Sequence, residues 1–116
     1  MAAQLERHPQ HLLVRITGDL RLWNHSDREE EVLGTTFAGL EEHPQQVVLS
    51  LRGVSFVDSC GIAALVRILV RCVRQGTGLQ VVIPTGIAGE ALRRIHIFDA
   101  WPELKEEPAA SRVLGA

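Results

Sequence analysis

The chain contains no tyrosine, one methionine, one lysine (Lys105) and two cysteines, and it has no long apolar run. Its longest such stretch, 61–66, is cut by Arg67, whereas a membrane span needs ~20 apolar residues. No membrane insertion is expected. Twelve Lys+Arg stand against fourteen Asp+Glu, a formal charge of −2, which excludes the basic field of a protein held to nucleic acid through phosphates. Cys60 and Cys72 fall within one predicted helix. Twelve helical residues span ~18 Å, and a disulfide needs Cα atoms within ~7 Å, so the two cannot pair with each other. Free thiols suit a reducing compartment. The opening MAAQLERHPQ carries neither a basic n-region nor an apolar h-region, and a cytoplasmic location is expected.

Cofactor and metal signals are equally scarce. His8, His11, His25, His43 and His96 are scattered without ligand spacing, so no metal site is expected. There is no G-x-x-x-x-G-K-[ST], and the glycines at 76, 78, 86 and 89 lack the spacing of a phosphate or dinucleotide loop. No cofactor is predicted.

What is present is the composition of one soluble domain: 116 residues, 46% hydrophobic and 22% charged. Leu12, Val14 and Ile16 alternate against Leu13, Arg15 and Thr17, predicting a half-buried strand ended by Gly18 and paired in a hairpin with Gln4 to His8. Asn24, His25 and Ser26 are N-cap types, and the acidic run 27–31 suits the positive end of a helix that stops before Pro44. Val47 to Leu51 is nearly all apolar, as a strand covered on both faces should be. Arg52 to Asp58 is expected to be a loop. Ile62, Leu65, Val66, Leu69 and Val73 then recur at helical spacing up to Gln75, with Arg67, Arg71 and Arg74 along the far side, read most simply as a solvated face, with an acidic partner as the alternative. Leu79 to Ile83 makes another strand, and Ala88, Leu92 and Ile95 mark a third helix. A short strand near Trp101 and a weak helix from about Glu106 complete the expectation, with 107–116 loosely held. The alternation argues for an α/β domain: a single layer of mixed, mostly parallel sheet with helices packed against it.

The most informative residues are Phe56-Val57-Asp58-Ser59-Cys60-Gly61-Ile62, a serine between a buried strand and a long helix. The plain reading makes Ser59 the N-cap, accepting a bond from a first-turn N–H, with Gly61 allowing close packing. The same position would hold an added phosphate against free N–H groups and the positive end of the dipole. A hydrolase elbow needs G-x-S-x-G, and residue 57 is valine. Cys60 as nucleophile lacks a partner, since His96 is the one histidine that follows it. Cys60 lies between the positive end of the helix and the Asp58 carboxylate, two opposed influences that leave its reactivity open. No enzyme is expected.

Val47 to Leu51 followed by Gly53-Val54-Ser55-Phe56-Val57-Asp58-Ser59-Cys60-Gly61-Ile62 resembles the STAS domain of bacterial anti-sigma-factor antagonists. Ile16-Thr17-Gly18-Asp19-Leu20 is similar to that family's strand ending in G-[ED]-L, and Leu92 to Phe98 to its third helix and exit. The resemblance implies one STAS domain over 1–116. It also implies phosphorylation of Ser59 by an anti-sigma kinase, and a partner surface that includes Asp19, Arg21, Asp58, Ser59, Cys60 and Gly61. On this reading the unmodified protein binds the anti-sigma factor and a sigma factor is released. Two positions depart from the pattern: Cys60 replaces a second Ser or Thr, and Arg21 stands where an acidic residue is common. The alternative implied is a STAS subunit that is not phosphorylated, in a lipid-transport ABC complex or a stressosome-like assembly.

Overall fold

The computed structural model describes residues 2–108. Four strands form one sheet in the order β1-β2-β3-β4: β1 (Ala2–Arg7), β2 (Leu12–Leu20), β3 (Gln46–Val57) and β4 (Gly78–Val82). The hairpin β1–β2 is antiparallel, while β2–β3 and β3–β4 are parallel. The parallel pairs are joined through α1 (Ser26–Leu40) and α2 (Ser59–Gln75), and α3 (Gly86–Arg94) follows β4. Successive right-handed crossovers that advance in one direction put their helices on one face. The side chains agree: Leu12, Val14 and Ile16 of β2, Val47, Leu49 and Leu51 of β3, and Leu79 and Val81 of β4 share one buried cluster with α1, α2 and α3. The intervening Leu13, Val48 and Val82 form a small cluster on the opposite face with Leu104. The expected mixed, mostly parallel sheet with helices against it is therefore what forms. Among the described residues no helix is long and apolar enough to cross a membrane.

Four local expectations are corrected. Gly18 does not end β2; it takes φ +92° at a register irregularity, and the strand runs on to Leu20. A glycine pays no Cβ penalty there, so one residue absorbs the bulge. The stretch expected as a loop after Leu51 is strand as far as Val57, because Gly53, Val54 and Phe56 continue the ladder with the extended β2. The strand near Trp101 reduces to one bridge, Glu103 with Val81, and 106–108 are not helical. The remainder of the expected last helix lies outside the described residues.

The hairpin turn carries a feature the sequence did not announce. His8 and His11 stack with ring centroids 4.4 Å apart. His11 is only 3% exposed and neither of its ring nitrogens has a partner among the described residues. Burial lowers the His11 pKa, the neighbouring His8 adds to the effect and Glu6 opposes it. In the unfolded chain this imidazole titrates near ~6.5. Below that pH the unfolded chain binds the extra proton more readily, so stability is full above the ordinary imidazole range and falls as pH drops through it. Urea unfolding at several pH values between 8 and 5 should show this fall, and His11→Phe should flatten it. An unchanged slope in His11→Phe would assign the dependence to other groups.

Candidate functional site

The carboxyl ends of β2 and β3 meet the amino end of α2, and Asp58 ties them. Asp58 has extended backbone angles and caps α2: its Oδ1 accepts the N–H of Gly61 at 2.7 Å. Its Oδ2 accepts the N–H groups of Leu22 and Trp23, each at 3.1 Å. Desolvation would raise the Asp58 pKa, but the N–H donors of Gly61, Trp23, Leu22 and Cys60 outweigh it and hold the carboxyl below its usual range. One side chain thus satisfies first-turn donors of α2 and pins the connection between β2 and α1 across the sheet end.

This corrects the N-cap assignment. Ser59 is the first residue of α2, not its cap. It is exposed, and among the described residues its hydroxyl makes no hydrogen bond. With the cap supplied by Asp58, the Ser59 Oγ is available for chemistry at the positive end of a 17-residue helix.

Gly61 is likewise not a surface residue. It is buried, and a Cβ built on it would stand 2.4 Å from the carbonyl oxygen of Leu20 and 3.1 Å from Leu20 Cγ. The same Leu20 carbonyl accepts the N–H of Asp58 at 3.4 Å. Glycine at 61 is what lets α2 approach the end of β2. Cys60 is half-buried and packs against the main core, and Cys72 is buried within it; both are free. Burial pushes the Cys72 thiol up to about 11, which keeps it protonated and unreactive.

Beside this turn lies a second pair of expected residues. Asp19 Oδ1 accepts the backbone N–H of Arg21 at 3.1 Å, and Arg21 Nε lies 3.4 Å from Asp19 Oδ2. The Arg21 guanidinium covers the Phe56 ring at 4.2 Å, a favourable cation–π arrangement. The positive charge at 21 is thereby fixed on the rim between the ends of β2 and β3. Of the six residues expected at the site, the structure joins Asp58, Ser59, Cys60 and Gly61 directly, and reaches Asp19 and Arg21 through Leu20 to Trp23. Sequence reasoning missed Phe56 as the platform for Arg21, although its place two residues before Asp58 was visible. Trp23, 69% exposed, completes the rim. Among the described residues no group of three or more His, Cys, Asp or Glu side chains is arranged to hold a metal ion.

Similar folds are known. An anti-sigma factor antagonist from Mycobacterium paratuberculosis superposes with a TM-score of 0.73 at 20% identity, covering 90% of this chain and 86% of its own. The Bacillus cell fate determinant SpoIIAA in its phosphorylated form gives 0.69 at 17%, covering 97% and 99%. A sulfate transporter family protein from Wolinella succinogenes gives 0.59 at 26%, covering 82% and 75%. No curated protein matches the chain in sequence. These likenesses are of fold, and sequence carries the assignment further: because the model of the STAS domain matches residues 2–107, nearly the whole chain, the protein belongs to the STAS domain family.

Proposed function

We propose that the protein is an anti-sigma-factor antagonist, a binding module switched by phosphorylation of Ser59. The observation that carries this reading is the exposed Ser59 hydroxyl at the first position of α2, unused in capping because Asp58 caps the helix. A kinase supplied in trans can reach it. The phosphorylated form of SpoIIAA, a similar fold, is consistent with a modification that leaves the domain folded.

Phosphorylation adds ~−1.5 to −2 charge at pH 7. The positive end of the α2 dipole stabilises that charge locally, so the fold need not rearrange. A docked anti-sigma factor meets the change directly, and desolvating a dianion at a fitted surface costs enough to weaken binding ~100-fold, about 2.7 kcal/mol. Arg21, held by Asp19 and Phe56 on the adjacent rim, presents a cation to that partner. The complementary surface of this protein's anti-sigma factor should therefore carry an acidic group opposite residue 21.

Incubation with the partner kinase and ATP, followed by phosphopeptide mapping, should find label on Ser59 and none on Ser50 or Ser55. Ser50 is fully buried and donates to Glu107 at 2.5 Å, while Ser55 lies within β3. Label on another residue with none on Ser59 would sink the switch. Retained partner binding by a protein that accepts no phosphate would favour the unphosphorylated STAS subunit instead.

A further inference from the structure

Helix α2 has a second surface, distinct from the Ser59 turn. Val66, Val70 and Val73 recur at i, i+4 and i+7 and are all exposed, Val73 by 64%. With Leu69, Ile97 and Trp101 they wall a groove of about 440 Å³ in which Arg74 is the one charged side chain among the described residues. Contiguous exposed apolar surface rimmed by polar side chains is a place where a partner can dock. Seven residues separate Ser59 from Val66 at the near end of the groove, ~10 Å along the helix, and fourteen separate it from Val73, ~21 Å, so the groove lies beyond the first turn of α2 and does not depend on the proposed switch.

The charge around the groove selects the occupant. Helix α2 holds Arg67, Arg71 and Arg74 and no acidic residue, although the whole chain is net negative at −2. Arg67 lies 3.5 Å from Glu29. Arg71 donates to the neutral Gln75 at 3.0 Å, and Arg74 has no ion pair among the described residues. Arg67, Arg71 and Arg74 also border an adjoining furrow with Phe37, across the ridge made by Val66 and Val70. An apolar row at helical spacing with unneutralised cations alongside is the complement of an amphipathic helix with acidic flanks. A second copy of this chain, paired symmetrically through α2, would set arginine against arginine with no acid on the helix to offset them. A flat anionic bilayer would meet the arginines but not fill a groove sunk between α2 and 97–101.

We propose that this groove docks an acidic amphipathic helix of a partner protein, about two turns long, with its apolar row against Val66, Val70, Val73 and Trp101 and its carboxylates against Arg71 and Arg74. The test titrates the full chain, labelled with 15N, with two sixteen-residue amphipathic peptides of identical leucine rows. One is flanked by glutamates and the other by lysines. The glutamate peptide should shift the amides of 66–74 and 97–101, leave those of 59–61 unmoved, and bind at least about tenfold tighter than the lysine peptide. Arg74→Glu should reverse the preference, and Val73→Asp should abolish binding, with the spectra themselves reporting that both variants are folded. Equal binding of the two peptides, shifts confined to 59–61, or no shift with either peptide would overturn the proposal. So would concentration-dependent shifts of 66–74 in peptide-free protein, or shifts of 66–74 on phosphatidylglycerol vesicles that neither peptide reproduces.

Discussion

Gly61→Val is expected to be among the most destabilising single changes in the domain. The added Cβ would fall 2.4 Å from the Leu20 carbonyl oxygen, a backbone atom with no rotamer to escape into. That carbonyl is also held by Asp58 N–H, so moving it disturbs the connection that Asp58 organises. Overpacking costs ~1–3 kcal/mol where side chains can yield. Against backbone the upper end is the starting point, and valine adds two γ methyl groups with restricted χ1 freedom. A loss of at least ~3 kcal/mol is a large share of the ~5–15 kcal/mol of a typical domain. Urea unfolding should show a graded series, wild type above Gly61→Ala above Gly61→Val. From sequence alone a β-branched side chain at 61 reads as standing on the surface beside Ser59 and harming partner binding more than stability; the burial of Gly61 against Leu20 reverses that. Wild-type stability in Gly61→Val would show that α2 can draw back from β2 at little cost.

Asp58→Ala should follow closely. It removes a helix cap, worth ~1 kcal/mol, and leaves the N–H groups of Leu22 and Trp23 without their acceptor. Hydrogen bonds to a charged group contribute ~1.5–3 kcal/mol, so a combined loss of ~3 kcal/mol is expected, roughly 12 °C in Tm at about 4 °C per kcal/mol. The sign of the pH dependence follows from the lowered Asp58 pKa. Its contribution is present above the ordinary carboxylate range near ~3.9 and is lost as pH falls through the folded value. Thermal melts of Asp58→Ala and Ser59→Ala separate the two neighbours. Ser59 is exposed and caps nothing, so its alanine variant should stay within ~0.5 kcal/mol of wild type. A Ser59→Ala loss as large as that of Asp58→Ala would return the cap to Ser59.

The two results bear on the proposed switch together. A turn that must carry a phosphate and release it without unfolding needs its shape set by something other than the modified hydroxyl. Here Asp58 and Gly61 set it, and Ser59 is left free between them. Asp58 therefore acts by holding the turn, since its carboxylate is already occupied by backbone donors and is a poor contact for a partner. Gly61 acts by its lack of a side chain. On the proposed reading, Arg21, Trp23, Ser59 and the half-buried Cys60 are the groups left for a partner to touch.

Much of the architecture follows from local pattern. The alternation of Leu12, Val14 and Ile16 marks the helix-facing side of β2, the apolar run 47–51 marks a central strand, and the valine and leucine spacing after Ser59 marks α2. Each is a periodicity of two or 3.6 that the backbone geometry imposes on any chain. Strand ends were less legible. Gly18 reads as a terminator and Arg52 to Asp58 as a loop, yet Gly18 and 52–57 lie inside strands because β2 and β3 extend each other through pairing that neither segment shows alone.

The sequence by itself determined the order of elements as far as α3, the faces of the strands, and a serine at the junction of β3 and α2. Only the tertiary structure decided what that junction does. Asp58 finds its acceptor role with Leu22 and Trp23, 36 and 35 residues away, and Gly61 meets a carbonyl from β2. His11 is buried against His8, its ring nitrogens without a partner among the described residues. Periodicity specifies which way a side chain points, but the distance between two packed elements depends on every side chain between them. For that reason the cap, the close approach and the buried imidazole appear only once the helices have settled on the sheet.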